Sequence, residues 1–339
     1  MNSGENSTSV TRDGLRGGRP DREAVTGAAR GRRRGRSGEQ PMVPKADFSS
    51  YYGKPVLNEP VWHSPDIPGY LFLGGLAGAS SLLGAGAQTT GRPALARVSK
   101  VGAISGGLLS LAALVHDLGQ PKRFLHMLRM FKVTSPMSVG SWLLAGYVPL
   151  AGAAAASAAT GRLPRVGTAA TAGAALLGPA VASYTAALVT DTAVPAWHEG
   201  HREMPYVFVG SAASAAGGLG LLIAPLDEQG PARTMALLGV TGELAMFKRM
   251  AKRLGMVAEP YSSGTGGRYI RAGEVLSVAG AAGAVLGRRN RLVSALSGAA
   301  LLASSAATRW GIFHAGMQSA RDPRYTVEPQ RERLEARQP

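Results

Sequence analysis

The stretch Ala113–Trp142 reads ALVHDLGQPKRFLHMLRMFKVTSPMSVGSW, and its reading decides the fold. Its start closes one apolar run and its end opens another. Between them Asp117, Gly119 and Pro121 break the first helix, and Lys122, Arg123, Arg129 and Lys132 follow. A second apolar segment starts after Ser135-Pro136. Two membrane helices joined by a cationic loop at the headgroup level satisfy this pattern.

Working outward, apolar residues bunch into runs near the ~20-residue length that spans a bilayer's hydrocarbon core. The runs are Gly69–Gln88, Val98–His116, Met137–Ala159, Val166–Thr190, Tyr206–Ala224, Ala232–Phe247, Ala272–Gly287 and Leu292–His314. Glu243 interrupts the sixth, and Arg309 lies near the end of the eighth. The expected fold is an all-α integral membrane protein, a bundle of about eight transmembrane helices within residues 68–314. Many of the 46 glycines sit beside Ala and Ser inside these runs, so close helix–helix approach is expected. Gly264-Thr265-Gly266-Gly267 falls outside the runs and reads as a flexible part of a Lys248–Arg271 loop.

Residues 1–44, with Arg30, Arg32, Arg33, Arg34 and Arg36, lack apolar periodicity and read as a disordered tail. No apolar segment follows the arginines, so they do not form an export signal. Residues 45–67 form an interfacial lead-in with Phe48, Tyr51, Tyr52, Trp62 and His63, and residues 315–339 form a polar C-terminal tail. An even helix count puts both termini on one side. That side then holds 27 of the 37 cations and the other holds 9, which points to cytoplasmic termini and a multi-pass protein of the cell membrane. Without the two tails the bias shrinks to 11 against 9, so the orientation rests mainly on the arginine cluster. The net charge of +16 is explained by this topology and by membrane lipid, with no nucleic acid required.

Cysteine is absent, which excludes disulfides, thiolate-ligated iron–sulfur clusters and a cysteine nucleophile in this chain. The six histidines, His63, His116, His126, His198, His201 and His314, all lie at run ends or in loops, so no facing pair offers axial ligands to haem. The lead-in, Asp117–Lys132, Asp191–Pro205, Lys248–Arg271 and the His314 end all fall on the terminal side, which marks that face for a site or a partner. Trp197-His198-Glu199-Gly200-His201 reads as a docking surface or a lid rather than a metal site.

Four segments carry a family resemblance. Tyr70-Leu71-Phe72-Leu73-Gly74-Gly75-Leu76-Ala77-Gly78, Asp117-Leu118-Gly119-Gln120-Pro121-Lys122-Arg123-Phe124, Ser135–Trp142 and Tyr184-Thr185 with Pro195-Ala196-Trp197 resemble, in order, the membrane subunit of polysulfide reductase, the NrfD family. The resemblance implies a haem-free membrane subunit that is not catalytic alone. Such a subunit exchanges electrons between the quinone pool, menaquinone or ubiquinone, and a 4Fe–4S ferredoxin-like iron–sulfur subunit. That subunit serves a molybdopterin catalytic subunit, of formate dehydrogenase type or another, as in anaerobic respiration.

A quinone site needs a slot near one headgroup layer, polar groups for two carbonyls and a protonatable residue. Asp117, beside His116 and close in sequence to Arg123, either relays protons or caps the turn and pairs with Arg123; the two roles are compatible. Tyr184 and Asp191, seven residues apart, share one helical face. The resemblance makes Tyr184 the quinone-binding tyrosine, with an ordinary interfacial tyrosine as the alternative, and makes His63 a carbonyl partner. The quinone-binding candidates are therefore His63, Asp117, Arg123, Tyr184 and Asp191. Asp117, Asp191, Glu243 and Arg309 are the proton-path candidates. Glu243 and Arg309 are expected to face the bundle interior, paired with each other, unless Glu243 pairs with Lys248 at the interface. A proton- or ion-translocating protein and a purely structural anchor without quinone are the competing readings. No internal repeat supports the first.

Overall fold

A computed structural model describes residues 9–11, 14–16, 56–119 and 122–336, with backbone alone at 9–11, 14–16, 122, 123 and 125. The chain divides into two units, 1–54 and 55–339. In the first, β1 (Ser9–Thr11) pairs antiparallel with β2 (Gly14–Arg16), Ser9 opposite Arg16. The rest of the tail expected to be disordered lies outside the described residues, as do residues 45–55 of the lead-in.

The second unit is helical throughout. Its elements are α1 (Asp66–Thr89), α2 (Pro93–Asp117), α3 (Lys122–Met127), α4 (Pro136–Thr160), α5 (Pro164–Thr190), α6 (Pro195–His198), α7 (Met204–Ile223), α8 (Gly230–Leu254), α9 (Glu259–Ser262), α10 (Gly264–Leu286), α11 (Arg291–Arg321) and α12 (Arg324–Glu335). By length and composition, α1, α2, α4, α5, α7 and α10 are apolar enough to cross a membrane, six among the described residues. The expected count of eight is therefore met only in part. The eight apolar runs do become eight long helices, but α8 and α11 carry Glu243, Arg309 and strings of serine or terminal cations that lower their apolar content.

Local chemistry sets the helix ends. Ser135 caps α4, its hydroxyl accepting from the Ser138 N–H at 3.4 Å, and Gly161 closes it in the left-handed region at φ 68°. Asn290 caps α11 by accepting from the Leu292 and Val293 N–H groups. α2 stops at Asp117, and Gly119 turns the chain at φ 69°. Neighbours in sequence pack as antiparallel pairs, α1 with α2, α4 with α5, α7 with α8 and α10 with α11, and α1 also lies along α5. At that last crossing Gly78 and Gly178 meet backbone to backbone: a Cβ at Gly178 would stand 2.4 Å from the Gly78 carbonyl oxygen. Large apolar side chains such as Leu108, Leu109, Leu176, Val275, Val278 and Leu296 point outward, the arrangement that lipid rather than water rewards.

Two expectations are corrected. The Lys248–Arg271 segment is not a loop, since α8 runs on to Leu254, a 3-10 turn at Gly255–Ala258 leads to α9, and α10 begins at Gly264. Nor are the glycines there flexible: a Cβ at Gly266 would meet the Ala315 backbone at 2.8 Å, and one at Gly267 would meet the Ser262 backbone at 2.4 Å. Their role is to let α10 press against α9 and α11. The C-terminal segment is likewise helical, with α11 reaching Arg321 and α12 burying Tyr325.

Candidate functional site

The end of the bundle that carries the chemically rich segments is tied together by side chains. The Trp197 ring is wholly buried, stacks on Trp62 at 5.4 Å between centroids, and donates its N–H to the Ile312 carbonyl at 2.8 Å. Gly316 leaves the room it needs, because a Cβ there would stand 1.9 Å from the indole. The Tyr261 hydroxyl donates to the Ala196 carbonyl at 2.8 Å, and the Ala196 N–H donates to Ser319 Oγ at 3.2 Å. Glu203, at the start of α7, takes a two-pronged ion pair from Arg253, Nη2 to Oε2 at 2.6 Å and Nε to Oε1 at 2.9 Å. The Arg253 hydrogen bond holds the Glu203 carboxyl below the usual carboxylate range, against its own burial. Trp62 is thus half-buried against the core rather than a simple membrane anchor, and Trp197 is a core residue rather than a docking one.

Between α4, α5 and α6 lies a groove of about 480 Å³ lined by Val133, Thr134, Pro136, Val139, Tyr184, Ala187, Thr190, Asp191, His198 and His201. One wall forms because Ser138 Oγ donates to the Met130 carbonyl and accepts from the Lys132 N–H, both at 3.0 Å, folding the segment before α4 back onto its first turn. The other wall is the end of α5, whose last carbonyls are read by His198 Nδ1 at Thr190, 3.3 Å away. Gly140 makes space for the tyrosine: a Cβ there would lie 2.1 Å from the Tyr184 ring. The Tyr184 hydroxyl is buried and has no hydrogen-bond partner among the described residues. A phenol left so beside a groove whose lining is mixed, with Asp191, His198 and His201 among its polar members, is a donor waiting for an acceptor.

Tyr184 and Asp191, expected on one helical face, both line this groove. His63 and Asp117 also come together, but elsewhere: Asp117 Oδ1 accepts from the His63 N–H at 3.1 Å and lies 3.3 Å from its Nδ1. A second pair, His116 Nδ1 to Asp66 Oδ2 at 2.9 Å, completes a cross-brace between the start of α1 and the end of α2. His63 lines a different and larger cavity, about 970 Å³, with Trp62, Phe313, His314, Gln318 and Arg321. The side chain of Arg123, and so its expected pairing with Asp117, lies outside the described residues.

Glu243 and Arg309 both face the interior, at 3% and 0% exposure. They do not form the expected ion pair within 4 Å, and Glu243 does not reach Lys248. Thr308 donates to Glu243 Oε1 at 2.8 Å, while Arg309 Nη2 donates to the Phe208 carbonyl at 2.8 Å with its guanidinium 3.8 Å above the Phe208 ring. Glu274, which also faces Glu243, is absent from the sequence candidates. The seventh run appears to start at Ala272, whereas α10 starts at Gly264 and places Glu274 well inside the helix. Among the described residues no group of three His, Asp or Glu side chains could hold a metal ion.

A search of curated proteins returned no match. The family model described as polysulphide reductase, NrfD, matches residues 54–247, which is more than half of the chain and includes both walls of the groove and the His63–Asp117 pair. The chain belongs to the polysulphide reductase NrfD family, membrane subunits of quinone-linked oxidoreductase complexes.

Proposed function

We propose that this chain is the membrane subunit that passes electrons between quinone and an iron–sulfur partner, and that the quinone head enters the Tyr184–Asp191 groove. The observation that carries this reading is the buried Tyr184 hydroxyl, unpartnered among the described residues, beside a groove near the end of a membrane helix. When bound there, quinone supplies the two-electron, two-proton couple. Tyr184 donates to one carbonyl oxygen, Thr134 or Thr190 Oγ1 lies along the same walls, and Asp191, exposed at the mouth, exchanges protons with water. His201 and His198 stand over the opening as the lid. The larger cavity beside His63 suits quinone less well. Its lining includes Arg321, which is ion-paired with Glu59, and none of its side chains holds a buried polar atom without a partner.

The His63–Asp117 pair is then a second proton-handling element at the same end of the bundle, with Arg123 nearby in sequence. The partner that delivers electrons is a 4Fe–4S ferredoxin-like subunit serving a molybdopterin catalytic subunit, formate being one substrate such a complex takes. All eight long helices cross the cell membrane with both termini in the cytoplasm. The cation distribution supports the orientation, and the interior placement of Glu243 and Arg309 lets α8 and α11 cross despite their charges.

Tyr184→Phe removes one hydrogen bond, worth about 0.5–1.5 kcal/mol, so quinol turnover of the purified complex should fall several-fold to about tenfold with assembly intact. Asp117→Asn should slow turnover while leaving the quinone KM near wild type, because the pair lines no wall of the groove. Wild-type steady-state kinetics in Tyr184→Phe would remove the groove from the mechanism.

A further inference from the structure

The end of the bundle opposite the Tyr184 groove carries nine of the cations, and Asp227 and Glu228 are the acidic residues of its loops. There the end of α1, the start of α2 and the end of α4 enclose a cleft of about 290 Å³ whose lining includes Gln88, Arg92, Ala96, Arg97, Lys100 and Ala158 and no carboxylate. Glu228 is engaged outside it, accepting from the Leu95 N–H at 2.8 Å.

Lys100 is the unusual member of this lining. It starts from the seventh position after Pro93, about 10 Å below the head of α2, and is 9% exposed. Its ammonium reaches back to the last turn of α1 and donates to Gln88 Oε1, an amide held in place because its Nε2 donates to Thr168 Oγ1 at 3.2 Å. Among the described residues no carboxylate stands within 4 Å of Lys100, and a neutral amide uses one of its three donors. The wall beneath offers no further acceptor of charge. Ser81 Oγ lies 2.7 Å from the Tyr147 hydroxyl, Thr171 donates to the Gly167 carbonyl at 2.7 Å, and the other residues there are alanines. Arg97, one turn nearer the helix start, is exposed and makes no hydrogen bond or ion pair among the described residues. A buried cation without a counter-charge is costly, and a like charge three residues away raises the cost. An anion in the cleft removes both.

We infer that this cleft binds the phosphodiester of an anionic phospholipid, with Lys100 and Arg97 as its charged donors. The Lys100 ammonium supplies its unused N–H groups and Arg97 its planar fork, the pairing that phosphate oxygens take best. The surroundings favour a lipid over a free anion. The helices that form the cleft, α1, α2 and α4, are all long and apolar enough to cross a membrane, and the cleft lies at their ends, where headgroups stand. Below Arg97 the same face of α2 continues as Val101, Ile104 and Leu108, four, seven and eleven residues on, with Val101 47% and Leu108 51% exposed. That face is a bed for an acyl chain. A zwitterionic head would bring its own ammonium against Arg92 and Arg97, so a head of net negative charge fits the lining better. The bound lipid ties α1, α2 and α4 together at this end. The site lies at the other end of α5 from Tyr184 and does not depend on quinone entering the groove.

The test uses the full chain, stripped of lipid in mild detergent and titrated with phosphatidylglycerol, phosphatidylcholine or inorganic phosphate. Native mass spectrometry should find one phosphatidylglycerol retained under activation that removes phosphatidylcholine, and thermal unfolding should shift upward with phosphatidylglycerol alone. Its affinity should fall about tenfold in Lys100→Met and in Arg97→Gln, the loss of one charge-assisted hydrogen bond. It should stay unchanged in Arg289→Gln, a cation at the same end of the bundle but outside the cleft. Arg97 is exposed, so its variant folds and decides the matter even if Lys100→Met does not. Equal retention in wild type and Arg97→Gln, an equal thermal shift from phosphatidylcholine, or a shift from inorganic phosphate as large as that from the lipid would each overturn the inference.

Discussion

Arg253→Ala should destabilise the protein by about 3 kcal/mol. Arg253 holds the Glu203 carboxylate in two bonds and donates a third to the Glu199 carbonyl at 2.5 Å. The Glu203 side chain is 5% exposed, so removing Arg253 leaves a buried charge with only the long ion pair to Arg249, 3.9 Å away. The cost should depend on pH with a definite sign. Arg253 depresses the folded-state pKa of Glu203, so the pair's stabilisation is present above the unfolded glutamate value near ~4.3 and is lost as pH falls through the lower folded value. Thermal unfolding in mild detergent should therefore show a large wild-type advantage at neutral pH that narrows in strong acid. An equal gap at both pH values would mean that Arg253 acts through packing alone.

Gly178→Val should be the second large effect, and it should reach the groove. At this crossing α1 and α5 touch through the backbones of Gly78 and Gly178, leaving no space for a side chain on either. Close contact through small residues is how helices associate where no water drives them together. A valine forces the helices apart, and overpacking of this kind costs about 1–3 kcal/mol. Tyr184 lies less than two turns further along α5, so the same displacement should move its ring out of the niche left by Gly140. Thermal stability and quinol turnover should fall together in this variant. Retention of both would show that the crossing is loose.

What could be read from the sequence was whatever depends on local pattern. Apolar runs gave every long helix, and the Ser135-Pro136 and Asp117–Gly119 boundaries fall where capping and turn chemistry put them. The spacing of Tyr184 and Asp191 put both on one helical face, and both line one groove at the end of α5. What could not be read depends on contacts distant in sequence. His63 and Asp117 are 54 residues apart, and nothing local to either names the other. The cations from Lys248 to Arg253 look like the start of a loop because charge usually ends a span, yet here Arg253 is the partner of Glu203 and α8 continues past it. Gly266 and Gly267 signal flexibility and close packing equally well, and only Ala315 and Ser262 decide between them. Glu274 is absent from the candidates because the seventh apolar run starts only two residues before it, at Ala272, whereas α10 begins at Gly264.

The central claim is that quinone binds beside Tyr184, and a photoreactive azido-quinone applied to the intact complex in membranes tests it most directly. Peptides covering Val133–Gly140 and Tyr184–His201 should carry the label, competed away by natural quinone and reduced in Tyr184→Phe. Label confined to residues 59–64 and 313–323, around the larger cavity, with the Tyr184 peptides recovered unmodified, would contradict it.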